Sequence, residues 1–294
     1  MSVAASRSSL KLAGGTNLSF VTVGDKRRPA VLLIHGQPSS ANSYRGIWSS
    51  LAEVAYVVAP DLPGFGHSDV LEPTTFDNFA IAVTELIDHL GVRERFIYLH
   101  DFGAPVGFRI AMDHPELVRG LIVQSANAHL TGLGPQWKTT MEYWSHPNAE
   151  NEAASTAHLT LEGVRRTYVG GLPDDVARKI SPSGWEEDWR VMQLPGRMAA
   201  QRALLIDYGR YVAKFGEISS YLRTHQPPAL MVRGRHDPFF ELAETVSWME
   251  DLPRMEAHIL DGGHFLLETH AVPAGALMRD FVERTSKVGS KAPG

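Results

Sequence analysis

Phe96-Ile-Tyr-Leu-His-Asp101-Phe-Gly103-Ala-Pro-Val-Gly107-Phe108 is the stretch on which the fold turns. Phe96 to Leu99 is apolar and reads as a strand buried on both faces, and a helix is expected to begin near Gly103. A chain that reverses this sharply from strand to helix lifts its central side chain, Asp101, above the sheet. It also leaves the next backbone N–H, that of Phe102, free to bind an oxyanion, as in the Gly-x-Ser-x-Gly elbow. Gly103 and Gly107 supply the lack of bulk that close helix–strand packing needs, whereas Leu99, two before Asp101, departs from the small residue of the serine form. An Asp in front of a helix also serves as an ordinary N-cap, so the elbow has to be judged with the rest of the chain.

Working outward, Val31 to Ile34, Tyr56 to Val58, Leu121 to Val123 and Leu230 to Val232 are similar short apolar runs. Between them lie helical patterns. The clearest places Phe76, Phe79, Ala80, Val83, Leu86, Ile87 and Leu90 on one face, with Thr74 or Thr75 as N-cap and Gly91 after the end. Alternating strands and helices imply a mostly parallel sheet whose functional groups collect at the carboxyl ends of the strands.

Three further signals stand at such ends. His35-Gly36-Gln37-Pro38 follows the first run, and its exposed turn can bring the Gln37 N–H beside that of Phe102. Asp237 in LMVRGRHDPFF and His264 in ILDGGHFLLE each follow a probable strand. Singly, these read as an ordinary Gly-Pro turn, a turn Asp and a surface His. Their order, each at a strand end, is what makes them a set.

The alternation breaks between about Leu130 and Gln226, which gives an expected organisation of core (1–129), helical cap (130–226) and core (227–294). Four of the six tryptophans and five of the eight tyrosines lie in that cap. A small helical subdomain needs aromatic volume for its own core, so these residues carry no function by position alone.

The 294 residues, 44% hydrophobic and 21% charged, suit one globular unit with an insertion. A net charge of -5 without a Lys/Arg cluster argues against nucleic acid as a partner. With no cysteine there is no disulfide framework and no thiolate nucleophile, and the thirteen histidines show no metal-binding spacing, so no metal and no cofactor is expected. The N-terminus lacks the apolar stretch of a secretory signal and no run is long enough to span a bilayer, so the expectation is a cytoplasmic protein without membrane contact.

Together, HGQP, DLPGFGHSD, HDFGAPVGF, GRHDPFF and GGHFLLE resemble the α/β-hydrolase group that contains epoxide hydrolases and haloalkane dehalogenases, over about Val21 to Phe281. The resemblance implies an α/β-hydrolase fold, a mostly parallel sheet flanked by helices with an inserted helical cap. It implies Asp101 as nucleophile, Asp237 as acid partner, His264 as base, and the N–H groups of Gln37 and Phe102 as oxyanion hole. His35, beside that turn, is a candidate for contact with substrate. A carboxylate, ionised at neutral pH, can attack an sp³ carbon without first losing a proton. The resulting ester would be hydrolysed by water activated at His264.

Epoxide hydrolases of the group stabilise the leaving oxygen with two cap tyrosines, and Tyr143 and Tyr208 match these best by position, with Tyr168 and Tyr211 in reserve. Many dehalogenases instead have a Trp directly after the nucleophile, where this chain has Phe102; Gln37 or the indole of Trp144 would have to substitute. The fluoroacetate type is a poorer match, since Phe102 and Pro105 stand where its arginines would be. The leading expectation is therefore an epoxide hydrolase for a small apolar molecule, acting as a monomer or homodimer, with haloalkane dehalogenase as the alternative. A non-catalytic binding protein of this fold has little need of Asp101, Asp237 and His264 together.

Overall fold

The computed structural model describes residues 4–289. Its centre is an eight-stranded sheet: β1 (Ser6–Lys11), β2 (Asn17–Val23), β3 (Ala30–Ile34), β4 (Tyr56–Pro60), β5 (Arg95–His100), β6 (Val118–Gln124), β7 (Ala229–Gly234) and β8 (Glu256–Leu260). The spatial order is β1-β2-β4-β3-β5-β6-β7-β8, and β2 alone runs against the rest. All five apolar runs are strands. β1 and β2 were not foreseen, and β1 shows why: five of its six residues are exposed, so this edge strand carries no apolar run.

Around the sheet lie α1 (Trp48–Ala52), α2 (Phe76–His89) and α3 (Gly103–Asp113). Between β6 and β7 come α4 (Lys138–Ser145), α5 (Ala149–Thr156), α6 (Leu161–Val169), α7 (Asp174–Ala177), α8 (Ser183–Met192), α9 (Arg197–Ala213) and α10 (Phe215–His225), with no strand among them. The chain closes with α11 (Ala243–Asp251) and α12 (Leu267–Gly289). α2 forms as expected: Thr75 caps it by accepting from the Asn78 N–H at 3.1 Å, and Gly91 follows with φ +71°.

The two-residue period of the buried strands divides the core into two layers. Leu32, Ile34, Ile97, Leu99, Leu121 and Val123 face α2 and α3. Val31, Leu33, Phe96, Tyr98, Ile122 and Val232 face α1 and α12. Both faces of β3 and β5 are covered, which is why these strands read as continuous apolar runs rather than alternating ones.

Strand order reverses at β3, whose neighbours are β4 on one side and β5 on the other. At this switch point the carboxyl ends of β3 and β5 lie side by side, Ile34 opposite Leu99. The approach is so close that a Cβ on Gly103 would lie 2.2 Å from the Ile34 carbonyl oxygen. Gly103→Ala is expected to destabilise the fold by about 1–3 kcal/mol, as overpacked cores do, whereas Gly14→Ala, at a site with open space, is expected to stay near neutral; urea unfolding of both variants checks this.

A second clamp holds the segment after β6 against α11. His129 Nδ1 lies 3.0 Å from Glu244 Oε1 and its Nε2 2.9 Å from Asp251 Oδ2, so both bonds donate from the ring only when it is protonated. Burial opposes the charged ring, but the bonds to Glu244 and Asp251 outweigh it and hold the His129 pKa above its ordinary value. A raised folded pKa contributes stability that is complete below the unfolded value of about 6.5 and is lost as pH rises through the folded one. His129→Gln should therefore show a flatter fall in urea midpoint between pH 6 and pH 9 than the parent.

Candidate active site

Five strand ends converge above the sheet. Asp101 occupies the turn between β5 and α3 with φ +49°, in the left-handed region that a non-glycine residue rarely adopts. The turn after β3 presses against it: a Cβ on Gly36 would lie 2.3 Å from the Asp101 Cβ, so only glycine fits there. That contact places the Gln37 N–H 2.7 Å from Asp101 Oδ1, and the Phe102 N–H also donates to the carboxylate. The cradle expected for an oxyanion thus already holds one carboxylate oxygen.

The other oxygen faces His264, whose Nε2 is 3.9 Å from Asp101 Oδ2. His264 Nδ1 lies 3.1 Å from Asp237 Oδ2. Asp237 in turn accepts from the Phe239 N–H at 2.9 Å and from the Ser125 hydroxyl at 2.5 Å. With Nδ1–H committed to Asp237, the Nε2 lone pair is directed at the space beside Asp101. The ring is flanked by Phe240, stacked at 5.5 Å between centroids, and by Phe239 edge-on.

Ser125 was not anticipated from the sequence. It joins the two carboxylates, since its carbonyl accepts from the Asp101 N–H at 2.9 Å while its hydroxyl reaches Asp237. The signal available was its position two residues after the apolar run Leu121 to Val123.

His35 does not touch the cavity. Fully buried, it accepts from the Leu62 N–H at Nε2 (2.9 Å), while Nδ1 donates to the Gly36 carbonyl (2.9 Å). Burial lowers its pKa, so it is a neutral strut holding the turn that presents Gln37. This corrects its expected role in substrate contact.

A cavity of about 400 Å³ opens over the carboxylate, bordered by Gln37, Phe102, Trp137, Met192, Leu205 and Phe239 besides Asp101 and His264. Its size suits a small ligand. No tyrosine among the described residues borders it. Tyr208 is close, stacked on Phe102 at 5.4 Å and on Trp137 at 4.7 Å, but its hydroxyl accepts from Asn127 Nδ2 at 3.3 Å. Tyr143 on α4 lies off the cavity wall. The reserves are committed too, Tyr168 to Asp188 and Tyr211 to the Asn127 carbonyl. Nor is Trp144 a free donor, because its indole N–H reaches the Leu205 carbonyl at 2.7 Å, as that of Trp137 reaches Phe239. Two tyrosine hydroxyls aimed at Asp101 were expected; neither Tyr143 nor Tyr208 borders the cavity, and the Tyr208 hydroxyl meets Asn127.

Burial pushes the Asp101 carboxyl up despite His264 and the two N–H groups. Asp237, equally buried, is carried below its ordinary value by His264, Ser125 and the Phe239 N–H. Burial works against a charged His264, but Asp237 and, secondarily, Asp101 raise its pKa. The arrangement can therefore offer an anionic nucleophile, a base oriented by a buried acid, and two N–H donors to the carboxylate. Among the described residues, no group of three or more His, Asp or Glu is arranged to hold a metal, and no helix is long and apolar enough to cross a membrane.

Sheet order, elbow and cap define an α/β-hydrolase, and the chain belongs to the alpha/beta hydrolase fold family, whose profile matches residues 29–271. It is similar to an uncharacterized hydrolase of Saccharomyces cerevisiae, 29% identical over 269 residues that cover 90% of this chain and 92% of that one. Among solved structures, the haloalkane dehalogenase DbeA of Bradyrhizobium elkani superposes with a TM-score of 0.77 at 21% identity, covering 97% of this chain and all of that one. The epoxide hydrolase CorEH superposes with a TM-score of 0.71 at 24% identity, covering 96% and 97%. The protein is thus an enzyme of the alpha/beta hydrolase family, similar in fold to a haloalkane dehalogenase and an epoxide hydrolase.

If Asp237 is the partner that raises the His264 pKa, Asp237→Asn should bring it below the ordinary histidine value, because burial is then opposed by Asp101 alone. Titration of the ring C–H signal by NMR reads this directly, and an unmoved pKa would dissociate the two residues.

Proposed function

We propose that the chain hydrolyses a small, largely apolar alkyl substrate through a covalent ester on Asp101. The observation that carries this reading is the disposition of the Asp101 carboxylate, with Oδ1 held by the Gln37 N–H at 2.7 Å and Oδ2 facing His264 Nε2 at 3.9 Å. Asp101 Oδ2 attacks an sp³ carbon; the new C–O bond forms as the leaving group departs with its electron pair. Water then adds to the Asp101 carboxyl carbon and gives its proton to His264 Nε2, while the Gln37 and Phe102 N–H groups take up the charge on Oδ1. Collapse breaks the bond to the alkyl oxygen, the alcohol leaves with a proton, and the carboxylate is regenerated. Asp237 stabilises the transient imidazolium.

Alkylation removes the negative charge of Asp101, one of the influences that raise the His264 pKa. His264 is thereby more readily neutral in the intermediate, the state in which a base is required.

The donors near the leaving group favour a halide, which reverses the order expected from the sequence. An alkoxide from an epoxide needs an acidic hydroxyl, and among the described residues no tyrosine borders the cavity, whereas Gln37, a residue with an amide donor, does. The epoxide reading retains one specific support: Tyr208 stacks on Phe102 and its hydroxyl is held by a single long bond to Asn127.

His264→Gln separates the two half-reactions. It should react once with 1-bromobutane or 1,2-epoxybutane and stall, carrying the mass of the added group on the peptide containing Asp101. Asp101→Asn should acquire none. Bromide release against diol formation by the parent enzyme decides between the two readings. A His264→Gln protein that binds a substrate of the parent enzyme yet never gains mass would show that no ester forms on Asp101.

A further inference from the structure

Gln37, which borders the cavity, is paired through its side-chain amide with Gln201, which lies behind the wall. Gln37, on the turn after β3, donates from Nε2 to Gln201 Oε1 on α9 at 2.6 Å. Gln201 is 1% exposed, and its own Nε2 is buried without an acceptor. A buried amide N–H₂ with no partner is costly, and a half-turn of a glutamine amide exchanges its carbonyl oxygen and its N–H₂ in nearly the same volume, so the hydrogen-bond network decides its orientation. Exchanging both amides keeps the 2.6 Å contact, now with Gln201 Nε2 donating to Gln37 Oε1. The buried donor is satisfied, and what remains unpaired is a carbonyl oxygen, the less costly orphan. The same exchange turns the Gln37 N–H₂ away from Gln201, and Gln37 is one of the residues that border the cavity together with Asp101.

We propose that Gln201 is a positioning residue: by donating to the Gln37 carbonyl oxygen it fixes the Gln37 amide with its N–H₂ toward the leaving group. This rests on the ester mechanism proposed above. As Asp101 Oδ2 bonds to carbon, the departing halide takes the electron pair and accepts the Gln37 N–H. α9 is suited to the task because it is tied to the core rather than hung over it. Arg197 donates to the Gly66 and Ser68 carbonyls at 2.8 and 2.9 Å, and Asp207 Oδ2 accepts from the Phe76 N–H at 2.7 Å. Gln201, Leu205 and Tyr208 fall on one helical face, so the strip that places Leu205 in the cavity wall also carries the glutamine.

The test is made in the His264→Gln background, where mass gain reads alkylation alone. Gln201→Met, similar in volume and without a donor, should slow mass gain from 1-chlorobutane at least tenfold and from 1-iodobutane much less, because the poorer leaving group leans harder on its donor. A merely structural role would slow all halides alike. With Gln37→Leu already present, Gln201→Met should add no further loss. Equal losses across the halides, or losses that add to that of Gln37→Leu, overturn the proposal. Should Gln201→Met fail to fold, Gln201→Glu keeps the side chain polar but can only accept, which holds the Gln37 oxygen toward the cavity; the same halide-dependent loss is expected, and a uniform one refutes it. If His264→Gln itself gains mass from none of the halides, the ester mechanism fails first and this inference with it.

Discussion

The structure depends on one contact, the approach of the turn after β3 to the turn after β5. With a Gly36 Cβ excluded by the Asp101 Cβ at 2.3 Å and a Gly103 Cβ excluded by the Ile34 carbonyl at 2.2 Å, the two loops at the switch point cannot separate or slide without opening the sheet between Ile34 and Leu99. The left-handed φ of Asp101 is unfavourable in isolation. It persists because the flanking residues leave it no alternative: β5 is buried along its whole length and α3 begins two residues later. Strain and proximity together aim a carboxylate at two N–H groups, and the remaining parts of the site are arranged around that fixed point. His35 serves the same constraint from below, tying the β3 turn to Leu62 beyond β4.

How far the sequence discloses this follows from where the physics is local. Doubly buried strands announce themselves as apolar runs, and the chemistry of a parallel sheet has to sit at their carboxyl ends, so Gln37, Asp101, Asp237 and His264 could be placed before any coordinate was known. β1 could not, because an exposed edge strand has no hydrophobic pattern to show. Ser125 escaped for a different reason: its role comes from the pairing of β5 with β6, which brings His100 opposite Gln124, and nothing in its neighbours signals that. The cap was least legible. Helical spacing says which side chains share a face but not what that face meets, and Tyr208 meets Phe102, Trp137 and Trp144 with its hydroxyl turned to Asn127.

Electrostatics set the two buried carboxylates beside the imidazole apart, as the proposed mechanism requires. Asp237 accepts from Ser125, the Phe239 N–H and His264, and these donors together overcome its burial. Asp101 has the N–H groups of Gln37 and Phe102 and only a 3.9 Å approach to His264, so burial prevails and its charge is the less stabilised of the two. A carboxylate whose charge is poorly stabilised is the better nucleophile, and one whose charge is well stabilised is the better permanent counter-ion. The difference arises from counting hydrogen bonds, not from residue type, which is identical at the two positions.

The same accounting bears on the cap. Two of its tyrosine hydroxyls, those of Tyr168 and Tyr211, and the indole N–H groups of Trp137 and Trp144 are spent on acceptors within the protein. Freeing any of these four for a substrate would leave a buried carbonyl or carboxylate short of a donor, whereas the Tyr208 hydroxyl accepts from Asn127. The Gln37–Gln201 pair is different, since reorienting it breaks no other bond and satisfies a donor that is otherwise stranded. Of these donors, the amide pair shared between the core turn and α9 is the one whose reorientation costs least, and the role proposed for Gln201 rests on that.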